Sequence, residues 1–304
     1  MKEDSRPLMV TIQCCTYNHE NYIRQCLDGF IMQKTNFRFE AIVHDDASTD
    51  GTASIIHEYA EKYPDIIKPI YETENQYSKR DGSLTRIMDE HTHGKYIAIC
   101  EGDDYWIDPL KLQKQVDILE ENCNIGLCYT DAYIYNQSKS VLRKRNDRRE
   151  YINTKALFRH NPIYTLTTLY RTKLYRNYCE EVQPNLRNWK IGDLPIWIWI
   201  SLHADVFYIN NVTSVYRELT NSASHNEKLE SMLDFIMSVY KVHLFFHNQY
   251  FAEDVQLRRT IENRKNRRLA HLYAKHHNYK LFLQYYMAVK PKSIGDWLHI
   301  LFLR

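Results

Sequence analysis

Residues 8–20 read LMVTIQCCTYNHE. Leu8 to Cys15 are a short apolar run carrying the β-branched Val10, Thr11 and Ile12, which is the signature of a buried strand. The run breaks on a polar turn, Thr16-Tyr17-Asn18-His19. Beyond it Tyr22, Ile23, Cys26, Leu27, Phe30 and Ile31 recur at helix spacing. The alternation continues. Residues 37–43 predict a second strand ending at His44-Asp45-Asp46, and Ser48, Thr49 and Asp50 are expected to cap the helix of Ile55, Ile56 and Tyr59. Residues 66–71 predict a third strand, 84–91 a helix and 95–100 a fourth strand. Asp108-Pro109 is then expected to open a helix through Leu119, with Pro at its first position. Strand and helix in turn, with short connections, imply an α/β fold with a mostly parallel sheet covered on both faces.

In such sheets ligands gather beyond the carboxyl ends of the strands. Three polar clusters fall there: Thr16-Tyr17-Asn18, Asp45-Asp46-Ala47-Ser48 and Glu101-Gly102-Asp103-Asp104. The last places three carboxylates within four residues. They repel one another unless a cation offsets them, and Mg2+ or Mn2+ takes few protein carboxylates beside water and substrate phosphates. A solvated acidic turn is the competing reading. Gly102 removes a side chain where backbone and ligand would approach closely. Asp46 could accept from the ring N–H of a uracil-like base or simply cap a helix, and Tyr17 could stack on a base or line a turn. The chain has neither GxGxxG nor GxxxxGK[ST], so a diphosphate must be held in another way.

The second half is less regular. Residues 125–135 suggest one or two strands, 138–149 a basic exposed loop, 165–170 a strand, 194–203 a helix, and 206–209 and 212–216 strands. From about Asn226 helix periodicity runs to the end. The net charge of +2 gives no field calling for nucleic acid. The odd count of 7 Cys, without zinc-type pairs, reads as buried small hydrophobes in a reducing compartment. No secretory leader and no run of about 18 apolar residues is visible, so the expectation is a cytoplasmic protein, at most peripheral on the inner face of the cell membrane. Arg258, Arg259, Arg264, Lys265, Arg267 and Arg268 either face anionic lipid or form a solvated helix face. The apolar end, 293–304, either docks on the protein or dips into a bilayer interface.

CTYNHENYI (15–23), HDDASTDGT (44–52) and GKYIAICEGDDYWIDPLKLQKQ (94–115), taken together and in order, resemble the family-two inverting glycosyltransferases of GT-A fold. Asn188 to Pro195 resembles the Gly-Asp segment carrying that family's catalytic base, and NVTSVYRE (211–218) the strand closing its active site. The resemblance implies a GT-A domain over 1–222, with a nucleotide-sugar half at about 8–135, an acceptor half at about 136–222, and a helical extension over 223–304. It implies transfer of a sugar from a nucleotide-diphosphate donor, UDP-linked, to a hydroxyl of a glycan or lipid-linked glycan in surface-polysaccharide synthesis, with Mn2+ or Mg2+ as cofactor. Residue by residue, Tyr17 would stack near the base with Cys15 beside it, and Asp46 would accept from the base N–H. Glu101 and Gly102 would lie by ribose and diphosphate. Asp103 would ligate the metal, Asp104 would support it, and Asp193 would deprotonate the acceptor. Glu101 stands where the family has Asp, and Leu219 where many relatives have His; His225 is an alternative not carried into the site. The basic residue facing the diphosphate is expected among Lys79, Arg80 and Arg86. Tyr105 and Trp106 form either a sugar platform or core, and Trp189 is expected to line the acceptor site. A nucleotidyltransferase or a non-catalytic nucleotide-sugar binder are the rival readings.

Overall fold

The computed structural model describes residues 5–144, 153–219 and 228–290. In chain order the elements are β1 (Leu8–Thr16), α1 (Ile23–Ile31), β2 (Arg38–Asp45), α2 (Thr52–Lys62), β3 (Ile67–Tyr71), α3 (Gln76–Lys79), α4 (Ser83–Glu90), β4 (Tyr96–Ile99), β5 (Tyr105–Trp106) and α5 (Lys111–Glu121). They continue with β6 (Ile125–Asn136), β7 (Val141–Lys144), α6 (Thr154–Arg159), β8 (Thr168–Arg171), α7 (Thr172–Val182), α8 (Asp193–His203), β9 (Asp205–Glu218), α9 (Leu229–Tyr250), α10 (Val255–Lys275) and α11 (Tyr279–Ala288). The chain divides into two compact units. Of the described residues, the first holds 5–144, 162–188 and 200–219, and the second 153–161, 189–199 and 228–290.

The first unit is built on one nine-stranded sheet in the order β3-β2-β1-β4-β8-β6-β9-β5, with β7 paired to β6. The first four strands of that order run parallel, as the alternating sequence requires. β8 then enters antiparallel to both β4 and β6, so the sheet is mixed past β4. β5, only two residues long, pairs antiparallel with β9. The two strands expected at 206–209 and 212–216 are one strand, β9, which follows β6 in parallel through two register shifts around Asp131. Part of the loop expected at 138–149 is β7, fully exposed, and residues 145–149 lie outside the described residues.

Two expected helix starts differ. Pro109 lies ahead of α5, whose first residue is Lys111, and Asp108 Oδ1 instead accepts the N–H of Leu110 at 2.9 Å. At α2 only Asp50 behaves as a cap, its Oδ1 accepting from Thr52 N at 3.0 Å; Ser48 and Thr49 bond elsewhere, as described below. The core of this unit lines β1, β2 and β4 with α1, α2 and α5. Three buried thiols, Cys14, Cys26 and Cys100, lie within it, with 4.0 Å between Cys26 and each of the others. All seven cysteines are free; Cys14, Cys26, Cys100 and Cys128 are buried as expected, whereas Cys15 and Cys179 are half-buried and Cys123 is exposed. Trp106 belongs to this core and not to a sugar platform: it is 2% exposed, meets Phe30 edge-on at 5.1 Å and donates Nε1–H to Leu166 O.

In the second unit α10 packs on α6, α9 and α11. Its core gathers Ile236, Leu269, Leu272, Phe282 and Tyr286. Trp189, expected at an acceptor surface, packs against Phe245 at 5.5 Å. No described helix is long and apolar enough to cross a membrane, and the apolar end at 293–304 lies outside the described residues.

Lys111 is an exception to the apolar interior. It is fully buried, with Nζ over the Trp106 ring at 4.3 Å and bonded to Gln115 Oε1 at 2.6 Å. Burial lowers its pKa to about 7, against weaker opposing effects of Cys128, Cys100 and Asp108. The unfolded lysine keeps its proton to about 10.4. Between those values the unfolded chain binds more protons, so this group makes the protein gain stability as pH rises from 7 to 10. Lys111→Met should remove that gain, at most about 1.4 kcal/mol per pH unit. Urea unfolding of both proteins from pH 7 to pH 10 checks this, and parallel stability curves would refute the assignment.

Candidate functional site

The pairing of β1 with its two neighbours fixes where the polar clusters fall. Thr16 lies opposite Asp45 on β2, and Gln13 opposite Ile99 on β4. The ladder runs on past the strand ends: Asp46 N donates to Thr16 O at 2.9 Å, Cys100 N to Gln13 O at 3.1 Å and Gly102 N to Cys15 O at 3.0 Å. The three clusters therefore share one rim of the sheet, as the topology predicts.

The first two clusters clasp each other. Asn18 N donates to Ser48 Oγ and His19 N to Thr52 Oγ1, each at 2.8 Å, while Glu20 N reaches Asp50 Oδ2 at 3.2 Å. In return Thr49 N donates to Asn18 Oδ1 at 2.8 Å and Gly51 N to Glu20 Oε2 at 2.7 Å. Asn18 and Ala47 both take positive φ, 55° and 63°. That conformation is easy for Asn and strained for Ala, and the clasp holds it.

Asp46 is buried, and its carboxylate takes two amides of a third segment. Oδ1 accepts from Gln76 N at 2.6 Å and Oδ2 from Tyr77 N at 3.0 Å. Asp46 thus caps a helix, α3, but not the one following Ser48. Tyr17 is 45% exposed, and its neighbour but one, Cys15, is half-buried. Burial raises the Cys15 thiol well above its usual range.

In the acid run, Glu101 is exposed, Asp103 half-buried and Asp104 buried. Gly102 is required by contact: a Cβ there would lie 2.7 Å from Thr16 Oγ1 and 2.9 Å from His19 Nδ1. Both of those atoms are buried without a hydrogen-bond partner among the described residues. Burial lowers the His19 pKa, while Asp103 and Asp50 pull it up. Asp104 takes the N–H of Arg217 on Oδ1 at 2.7 Å, and burial together with Asp103 raises its pKa well above the carboxylate range.

Arg217 is the residue that sequence reasoning missed. It is 6% exposed, with Nε donating to Asp103 O at 2.7 Å, Nη2 to Gln25 Oε1 at 2.8 Å and Nη1 to Gln137 Oε1 at 3.1 Å. Its guanidinium lies 5.0 Å from the rings of both Tyr22 and Tyr105 and 5.8 Å from Tyr135. A protein cation therefore already offsets the acid run from inside. Of the three basic residues expected to face a diphosphate, Lys79 pairs with Glu74 and Arg86 bonds Asp81 O. Among the described residues no hydrogen bond or ion pair links Lys79, Arg80 or Arg86 to the acid run. Asp193, half-buried in the second unit, begins α8, and its Oδ1 accepts from Leu194 N. A Cβ on the neighbouring Gly192 would meet nothing within 4 Å. His225 lies outside the described residues.

The model of glycosyl transferase family 2 matches residues 11–179, more than half of the chain. This chain belongs to that family. A protein of Mycobacterium tuberculosis is 34% identical over 226 residues, which are 71% of this chain and 61% of the relative, so the chain spans less than two thirds of that protein. A Bacillus subtilis relative named as a teichuronic acid biosynthesis glycosyltransferase, TuaG, is 27% identical over 72% of this chain and 82% of its own. Among solved structures, S. aureus TarS 1-349 in complex with UDP-GlcNAc superposes with a TM-score of 0.55 at 15% identity, over 90% of this chain and 89% of that one. The mannosyltransferase PcManGT from Pyrobaculum calidifontis, in complex with GDP-Man and Mn2+, gives 0.60 at 15% identity, over 98% and 80%. These likenesses are of fold, and they match the mixed α/β sheet with its helical C-terminal region. Family membership sets aside the nucleotidyltransferase reading. The signal that could have found Arg217 lay in the family-like segment 211–218, where it follows Tyr216 directly.

Arg217→Lys keeps the charge but loses the planar fork that serves three acceptors at once. It should lower stability by about 1.5–3 kcal/mol, the typical worth of a hydrogen bond to a charged group. Chemical denaturation measures this; a variant as stable as the wild type would show that the fork holds nothing.

Proposed function

We propose that this protein is a metal-dependent inverting glycosyltransferase moving a sugar from a UDP-linked donor to a hydroxyl of a glycan or lipid-linked glycan, in the synthesis of a cell-surface polysaccharide. The observation that carries this reading is the corner formed by Thr16, His19, Gly102 and Asp103. There the Asp103 carboxylate has no hydrogen bond among the described residues, and two buried polar atoms beside Gly102 await partners. An interior polar atom left unpaired is costly, so such a corner is suited to a polar ligand.

The residues fit a divalent ion of the hard, oxygen-seeking kind. Among the described residues no group of three or more His, Cys, Asp or Glu gathers as an all-protein metal cage. Magnesium and manganese bind instead through one or two carboxylates together with substrate phosphates and water. Asp103 would supply the carboxylate. When bound, the ion would neutralise the diphosphate as it leaves.

The protein's own groups do the rest. Tyr17 presents an open ring to a base, with Cys15 beside it. Each Asp46 oxygen has already accepted one amide and keeps a lone pair for a uracil N–H. Glu101 and Gly102 line ribose and diphosphate, and Asp104 acts on the donor by holding Arg217 and so the backbone of Asp103. Asp193 takes the proton of the acceptor hydroxyl as that oxygen attacks the anomeric carbon. The bond from that carbon to the diphosphate oxygen breaks on the opposite face, and the configuration inverts. The TuaG name supports the surface-polysaccharide setting, and the UDP-GlcNAc complex supports the donor class.

The test is a panel of UDP-sugars with manganese, assayed for UDP release with and without glycan acceptors. Release from none of them would leave a non-catalytic binder. Asp103→Ala should keep the fold and abolish manganese-dependent turnover; unchanged metal dependence would remove the ion from Asp103. Asp193→Asn should retain UDP-sugar binding and lose about a hundred- to ten-thousandfold in transfer rate. Transfer at the wild-type rate would place the base elsewhere.

A further inference from the structure

The second unit holds a charge cluster that the transfer reaction does not use. His243 on α9 is 1% exposed, and its Nε2 has no hydrogen-bond partner among the described residues. Its ring packs on Phe158 at 5.2 Å. On α10, Arg264 and Arg268 are four residues apart and so share a helix face. Arg264 Nη1 donates to Phe158 O at 2.8 Å and Leu157 O at 3.2 Å, the last turn of α6. Phe158 therefore touches the imidazole with its ring and Arg264 with its carbonyl. The Arg268 guanidinium lies 5.6 Å from the Phe235 ring. Among the described residues it has neither a hydrogen bond nor an ion pair.

The neighbouring basic residues behave differently. Arg258 and Lys265 both pair with Glu262, and Arg259 and Arg267 are exposed. Only Arg264 and Arg268 turn inward together. Burial lowers the pKa of both, that of Arg264 to about 10 with Arg268 adding repulsion. Burial and the two arginines hold His243 neutral, with a pKa near 3. No acidic side chain of the described residues enters the balance of any of the three. Two like charges and an unpaired imidazole, half withdrawn from water, lack only a counter-charge.

We propose that His243, Arg264 and Arg268 form a binding site for a phosphate-type oxyanion, separate from the nucleotide-sugar site. Two guanidiniums supply forked N–H donors that match phosphate oxygens, and neutral His243 can donate one N–H through Nε2. The phosphate belongs either to a soluble ester or to a lipid headgroup, and the chemistry of capture is the same.

The test is calorimetric titration of the full chain with inorganic phosphate, without donor or metal, on wild type, Arg268→Gln and Arg268→Lys. Among the described residues Arg268 makes no hydrogen bond, so both variants should remain folded when phosphate is absent. Arg268→Gln should weaken phosphate binding tenfold or more, as expected for losing charged hydrogen bonds worth about 1.5–3 kcal/mol. Arg268→Lys should fall between, and it carries the comparison if Arg268→Gln does not fold. Phosphate should also raise the pKa of the His243 ring, followed by NMR. Phosphatidylcholine vesicles with and without phosphatidic acid separate the sources. Phosphatidate capture lost in Arg268→Gln points to a headgroup; binding of soluble phosphate alone points to a soluble ester. The proposal fails if phosphate gives no saturable binding, if chloride competes equally, or if Arg268→Gln binds as tightly as the wild type.

Discussion

One buried guanidinium organises the rim where chemistry is proposed. Glu101, Asp103 and Asp104 crowd negative charge into four residues at the end of a strand, and that crowding opposes folding. Arg217 answers it from within. It reaches Asp103 through a carbonyl, Asp104 through its own amide, α1 through Gln25 and the end of β6 through Gln137. Three tyrosine rings surround its charge without competing for its N–H groups. The arrangement fixes the short β5–β9 pairing, and with it the direction in which the acid run faces. Asp104 is thereby committed inward, while Asp103 keeps its carboxylate uncommitted.

What the sequence showed and what it hid divide along one physical line. Features set by neighbours in the chain were legible: the apolar run at Leu8 to Cys15, the helix face of Cys26, Leu27 and Phe30, and the three polar clusters at strand ends. Parallel order follows from those connections, so the shared rim followed too. Features set by distant partners were not. The antiparallel entry of β8 between β4 and β6 has no local mark, and β5 is too short to show alternation. Arg217 reads as an ordinary basic residue until Gln25, some 190 positions earlier, is seen beside it.

The same line explains the misread caps and cations. Asp46 stands before Ser48 and looks like a cap for the helix that follows, yet its amides come from Gln76 and Tyr77. Lys79 and Arg86 look available for a diphosphate but are engaged by Glu74 and Asp81. On α10 six basic residues looked alike, and only packing against α6 and α9 sorted them into paired, exposed and inward-facing groups. Composition records charge; it does not record the partner.

The clasp between the turns after β1 and β2 bears on how this site can be altered. Six hydrogen bonds pass between residues 18–20 and 48–52, and donors and acceptors are supplied from both sides. Neither turn is a free-standing loop. A graft that replaces one alone leaves unmatched amides or carboxylates on the other, and an insertion in either shifts both out of alignment. Residues 15–20 and 44–52 therefore form a single exchangeable cassette, and any redesign of this rim has to move the two segments as a pair.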